Sequence, residues 1–304
     1  MIPGMELLDG AVDCHVHACP HLNGRSVDVF QAVRDAGAVG LRGLGLMDNF
    51  ANSSGYAALA RRELAGLGVE VFGGLIMEPP AGGVTLEAVQ AALGYGYATG
   101  DGARFISLPT HHTRNIARAE GRGPAYVEAC LEIPERGPLP EPLPAILDAI
   151  AEADVVLNSG HVSGPEAVRL VGEARARGVE RILVPASHYQ VDEVRAVTEA
   201  GAFAEFSFFF LSHATQVGLT HVDTDKHTAE AITLPRMAEL ITAATPARTV
   251  LSSDCGVFVL PPPVEGFREF LLMIESAGFT RDDLRLMAAS NPARLFKVGD
   301  SPAT

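Results

Sequence analysis

Eight short apolar runs recur along this chain, near 11–15, 40–46, 69–77, 104–108, 154–158, 181–185, 202–209 and 249–253, with segments of helical period between them. That alternation is the pattern of a parallel sheet covered by helices. The intervening stretches, "SVDVFQAVRDAG", "GYAALARRELAGLG" and "GPEAVRLVGEARARG" among them, are amphipathic. Several close on a glycine just before the next run, as a helix C-terminus does. Eight strand-then-helix units in 304 residues predict a closed (β/α)8 TIM barrel in preference to an open doubly wound sheet. No GxGxxG follows the first run, which removes the commonest dinucleotide-binding alternative. A single domain, 1–304, is expected. Only 113–145 breaks the rhythm: rich in proline, glycine and charge, it follows strand 4 and reads as a lid-like insertion.

Composition narrows the partners. With 47% hydrophobic and 20% charged residues the chain can bury a large core without disulfides. A net charge of −14 argues against nucleic acid or an anionic membrane surface, though local charge in a cleft can still receive an anionic substrate. Cys14, Cys19, Cys130 and Cys255 form no CxxC pair. No apolar run reaches ~18 residues and no charged leader opens the sequence. The expectation is a cytoplasmic protein with a small-molecule substrate, open to forming homo-oligomers.

The polar residues fall at the ends of the apolar runs. "AVDCHVHACPH" ends strand 1 in His15 and His17, which leave a strand on one face. "VVLNSGHVS" ends strand 5 in His161, "RILVPASHYQ" ends strand 6 in His188, and "TVLSSDCG" ends strand 8 in Asp254. In a barrel of this kind the carboxyl ends of the strands carry the chemistry. Each residue alone has an ordinary explanation, a loop histidine or a helix N-cap. Five coincidences of residue type and strand end point instead to a transition-metal site of imidazoles and a carboxylate. In and just after strand 7, Phe206, Phe208, Phe209 and Phe210 supply core, and His213, His221 and His227 follow in the loop as candidate substrate contacts or an additional ligand. Arg114 could pair with a substrate carboxylate, and His112 stands beside it.

This set of residues resembles the amidohydrolase superfamily of metal-dependent barrels: an HxH on strand 1, histidines on strands 5 and 6, and an aspartate on strand 8. "SNPARLF", 290–296, is similar to the helix that often follows the last strand there. "HVHACP", 15–20, and "LPT", 108–110, resemble an amidohydrolase-like branch of it. The resemblance implies that His15, His17 and Asp254 hold one divalent ion, and that His161 and His188 hold a second or join a single site. Zinc comes first, with iron or manganese as alternatives. Many two-metal members bridge the ions with a carboxylated lysine on strand 4, but "RFISLPTHHTRN" offers His111 and His112 and no lysine. The bridge then falls to Glu78 after strand 3, with His111 next and Asp48 a weaker candidate.

The chemistry implied is hydrolysis of a C–N, C–O or P–O bond of a small molecule by metal-activated water. Asp254 would act as general base, and His161 or His188 would polarise the oxygen under attack. Activity should fall as pH drops through the histidine range, because the ligand form is neutral imidazole. Two alternatives stay open: a non-haem di-iron oxygenase on the same barrel, as in natural-product biosynthesis, and a non-catalytic ligand-binding barrel.

Overall fold

The computed structural model describes residues 2–98, 100–217, 219–220, 226–228 and 230–299. The eight expected strands are present as β1 (Val12–Val16), β2 (Gly43–Leu46), β3 (Glu70–Ile76), β4 (Phe105–Ser107), β5 (Val156–Asn158), β6 (Ile182–Pro185), β7 (Phe203–Ser207) and β10 (Thr249–Ser252). A short antiparallel pair, β8 (Leu219–Thr220) and β9 (Lys226–His227), lies in the loop between β7 and β10. The eight strands form one parallel sheet in the order β1-β2-β3-β4-β5-β6-β7-β10. Its two edges meet at a Val16–Cys255 bridge, where His17 N donates to Cys255 O at 2.8 Å and Asp254 N to His15 O at 2.9 Å. The barrel is thus nearly closed, and β1 and β10 meet at its seam.

Helices cover the outside: α1 (Val29–Ala38), α2 (Ser54–Glu63), α3 (Leu86–Gly94), α6 (Leu143–Ala153), α7 (Gly164–Ala176), α8 (Val191–Glu199), α9 (Leu234–Ala244) and α10 (Pro263–Ser276). None among the described residues is long and apolar enough to cross a membrane. Strand residues divide between two cores. Val12, Cys14, Phe72, Phe105, Val156, Leu183, Phe203 and Val250 fill the barrel, while Val16, Leu46, Val71, Leu75, Ile106, Leu157, Val184 and Leu251 pack against the helices. At the amino end the barrel is plugged by α12 (Asn291–Phe296), which follows the short α11 (Arg281–Arg285). Phe296 stacks on Phe72 with ring centroids 4.8 Å apart, and Asn291 Nδ2 donates to Pro246 O and Thr249 O. Truncating a ring buried like Phe296 costs about 3–5 kcal/mol.

One irregularity decides what the first strand presents. β1 pairs Val12 with Gly43 and Asp13 with Leu44, but Val16 with Leu46, so it carries one residue more than β2 over this span. Such a bulge flips the alternation of faces. Val12 and Cys14 point into the barrel, yet Val16 points out to the helices. His15 and His17 therefore face inward, while Asp13 turns to the seam and accepts Ser253 N at 2.9 Å.

The 113–145 segment is folded. It holds α4 (Arg114–Ala119) and α5 (Pro124–Ala129), then an extended return in which Leu131 bridges Thr113. Glu166 fixes it from outside. One carboxylate oxygen takes Ser163 N and Oγ in a capping box on α7, and the other takes Ile133 N at 2.9 Å. Arg169 of α7 donates to Pro134 O and Gly137 O. Strand 7 ends earlier than the phenylalanine run suggested, because Phe208–Leu211 coil into a 3₁₀ turn whose Phe209 N reaches Ser253 O.

Candidate metal centre

The seam between β1 and β10 brings the first and last parts of the barrel together at its carboxyl end. Asp254 sits there with φ 52°, in the left-handed region that aspartate tolerates better than most side chains. Two residues on, Gly256 has φ 108°, and a Cβ there would lie 1.6 Å from His17 O. Only glycine lets the turn after β10 close over the HxH segment. As a result His17 Nε2 and His15 Nε2 lie 3.1 Å and 3.3 Å from Asp254 Oδ1. One donor atom from each of the three lies within 4.8 Å of the others, the only such group of His, Cys, Asp or Glu among the described residues.

Glu205, on the inward face of β7, completes the arrangement, and the sequence reading passed it over. His15 Nδ1 donates to Glu205 Oε1 at 3.0 Å, and Ser252 Oγ donates to the same oxygen at 2.7 Å. With Nδ1 committed, the Nε2 lone pair of His15 is turned towards Asp254 and His17. A carboxylate behind a ligating imidazole fixes its tautomer and raises its basicity. The signal available was a lone acid in the apolar run "AFAEFSFFF".

The electrostatics suit a cation. Burial works to lower the His15 pKa, but the Asp254, Glu205 and Asp13 charges outweigh it and raise it to about 9. Burial also works to raise Asp254, yet His15, His17 and His161 hold its carboxyl below the ordinary range. Burial brings His17 down to about 4, so its imidazole is neutral at pH 7. Buried Asp13 Oδ2 and Glu205 Oε2 have no hydrogen-bond partner. A position ringed by carboxylates that draws a proton onto His15 draws a divalent ion by the same field, and the donor set of two imidazoles and a carboxylate fits zinc, iron or manganese.

The other sequence-derived candidates fall outside this group of three. His161 follows Gly160, which has φ 59° and whose Cβ would lie 2.3 Å from Pro109 O. His161 N bonds to that same carbonyl at 3.1 Å. Burial lowers the His161 ring to about 4, and it feels the charges of Asp254, His15, His188 and Glu205. His111 faces it with ring centroids 6.5 Å apart. His188 is exposed, with Nε2 2.8 Å from Glu230 O and its ring edge-on to Phe210.

Glu78 is buried, and its oxygens accept from Thr110 N, Thr110 Oγ1, His111 N and His112 N at 2.7, 3.0, 2.6 and 3.3 Å. It holds the turn after β4 in place. His112 packs edgewise on Tyr126 and lines a cavity of about 270 Å³ between the β3 and β4 loops and the insertion. Arg114 is paired with Glu132 within the insertion. Asp48 is buried, pushed up to about 6 by that burial, and 3.5 Å from His21 Nε2. His213 is exposed, and His221 lies outside the described residues.

No curated protein matches the sequence. The fold is similar to that of an organophosphorus hydrolase from Deinococcus radiodurans (TM-score 0.57, 17% identity, 96% of this chain and 93% of that one covered). It is also similar to an amidohydrolase from Pseudomonas aeruginosa (TM-score 0.57, 10% identity, 97% of each chain). A dihydroorotase aligns at TM-score 0.57 and 12% identity, over 95% of this chain and 69% of that one. These likenesses show that the barrel fold is shared with those proteins. Residues 10–205 match the profile of a family of unknown function, DUF6282, and to that family the chain belongs.

Proposed function

We propose that this chain is a divalent-metal-dependent hydrolase of small molecules, acting on a C–N, C–O or P–O bond. The observation that carries the reading is the convergence of His15, His17 and Asp254 on one point at the carboxyl end of the barrel, with Glu205 behind His15. Two of the structurally similar barrels are named as hydrolases, which supports it.

His15 and His17 would hold the ion through Nε2 and Asp254 through a carboxylate oxygen. Bound there, a divalent ion supplies Lewis acidity that makes water nucleophilic near neutral pH. Asp254, kept ionised by the surrounding imidazoles, accepts the proton of the attacking water as general base. His161, neutral and half-buried, offers a ring N–H to the oxygen on which charge develops. His188 stands nearer solvent, where it can serve the same oxygen or the leaving group. A second ion would draw on His161 and His188, with Glu78 or His111 between the two. His112 and His213 would contact substrate, and residues 113–145 would cover it. Thr113 Oγ1 and Asn115 Nδ2 both bond to His161 O, which ties the insertion to the site.

Elemental analysis of the purified protein, followed by turnover of ester, amide, lactone and phosphotriester panels, tests the reading. Expected are one or two equivalents of metal, lost in His15→Ala and His17→Ala together with turnover. A protein that takes up no metal overturns it. One that takes up iron and consumes oxygen favours the oxygenase.

A further inference from the structure

Arg25 stands beside the metal centre and takes no part in holding it. Its segment is stitched to the turn that carries Asp254: Arg25 bridges Val257 in antiparallel sense, and Ser26 N donates to Gly256 O at 2.8 Å. One guanidinium nitrogen lies 2.8 Å from His21 Nε2, while the buried Nε has no partner. Among the described residues no carboxylate comes within 4.0 Å of it. Burial lowers Arg25 to about 10, against the pull of Asp48 and Asp254, so it stays charged at neutral pH, and that charge is felt at His17.

A largely desolvated cation without an ion-pair partner is costly to keep unless something compensates it. The planar guanidinium fork matches a carboxylate or phosphoryl group, and a charge-assisted bond there is about twice as strong as a neutral one. In a chain of net charge −14, a cation at the barrel mouth also gives an anionic molecule a local point of attraction. The same two stitched segments carry Leu22 and Phe258, 66% and 58% exposed. Large apolar side chains left open beside a reacting centre suit an apolar part of its ligand.

We propose that Arg25 receives an oxyanion, a carboxylate or a phosphoryl oxygen, of a small substrate whose remainder is apolar. The word substrate rests on the hydrolase reading; the anion site does not, and the two are tested apart.

The full-length, chelator-treated protein is titrated calorimetrically with 3-phenylpropionate, 2-phenylethylphosphonate and the neutral 3-phenylpropionamide. At least one anion should bind about tenfold or more tightly than the amide, and the order of the two anions identifies the group taken. Arg25→Met should bring anion and amide to within about threefold of each other and leave amide affinity unchanged. Should Arg25→Met lose the fold, Arg25→Lys serves: it keeps the charge and loses the fork, and anion affinity should drop at least about threefold relative to the amide.

The proposal is overturned if neither anion outbinds the amide, or if the preference survives substitution; Arg25 would then only brace His21. Metal content is measured in parallel. Anion binding through Arg25 in a protein that takes no metal would remove the hydrolase reading and keep this site. Metal uptake with no anion preference would do the reverse.

Discussion

Glu205 Oε1 and Asp254 Oδ1 hold opposite nitrogens of one ring: His15 Nδ1 is 3.0 Å from the first, and Nε2 is 3.3 Å from the second. The orientation of the His15 ring is therefore set from behind by a strand on the other side of the seam. Glu205→Gln should lower metal affinity about 10–100-fold with stoichiometry unchanged. Competition with a chromophoric chelator measures this, and an unaltered affinity would reduce Glu205 to a packing residue.

The pH dependence of stability should differ between metal-free and metal-loaded protein. His15 has a folded pKa of about 9, above its unfolded value of about 6.5. The stabilisation it gives the metal-free protein is complete below pH 6.5 and is lost as pH rises through 9. An ion on Nε2 replaces that proton, so the loaded protein lacks this loss. Thermal melts with and without chelator should show a Tm gap that widens across this window. A constant gap would mean that the ion does not sit on His15.

Glu78 offers a sharper test of the bridging position. Glu78→Ala leaves the N–H groups of Thr110, His111 and His112 without their acceptor and should cost about 2–4 kcal/mol. Glu78→Gln keeps one acceptor oxygen and should cost less. If the carboxylate serves only the β4 turn, metal stoichiometry stays constant in Glu78→Gln. Loss of one equivalent would assign it to a bridge.

Replacing residues 116–130 by a short Gly-Ser linker removes most of α4 and α5 and leaves the Ile133–Glu166 anchor. Turnover or substrate affinity should fall, while bound metal changes little and Tm shifts by only a few degrees. Unchanged turnover together with a marked fall in Tm would make the segment a brace for the outside.

Much of this was legible because apolar runs and chemistry-bearing residues follow simple periods. The eight strands, the inward HxH and the placing of Asp254 all rest on residue type and strand end. The bulge at β1 was not legible. "VDCHVH" alternates cleanly, and only pairing with β2 shows that Cys14 and His15 share the inward face. Glu205 was hidden because an acid on an inward strand position becomes informative only once its neighbours are known to be His15 and Ser252. For Glu78 the sequence marks a carboxylate at a strand end. Whether it meets a metal or a row of N–H groups depends on the path of the β4 turn. Arg114 finds Glu132 eighteen positions on because the insertion doubles back through Leu131.

The barrel seam has a consequence for the order of events during synthesis. His17 and Asp254 are 237 positions apart. At about 5–20 residues per second, the ribosome adds the aspartate roughly 10–50 s after the histidines. For that interval the first strand carries two imidazoles with nothing to complete them, and a nascent chain has no assembled pocket to fill. The ion would arrive last, as a clasp between the two ends of a finished ring. Its retention would then report that the ring had been made through Asp254 and closed.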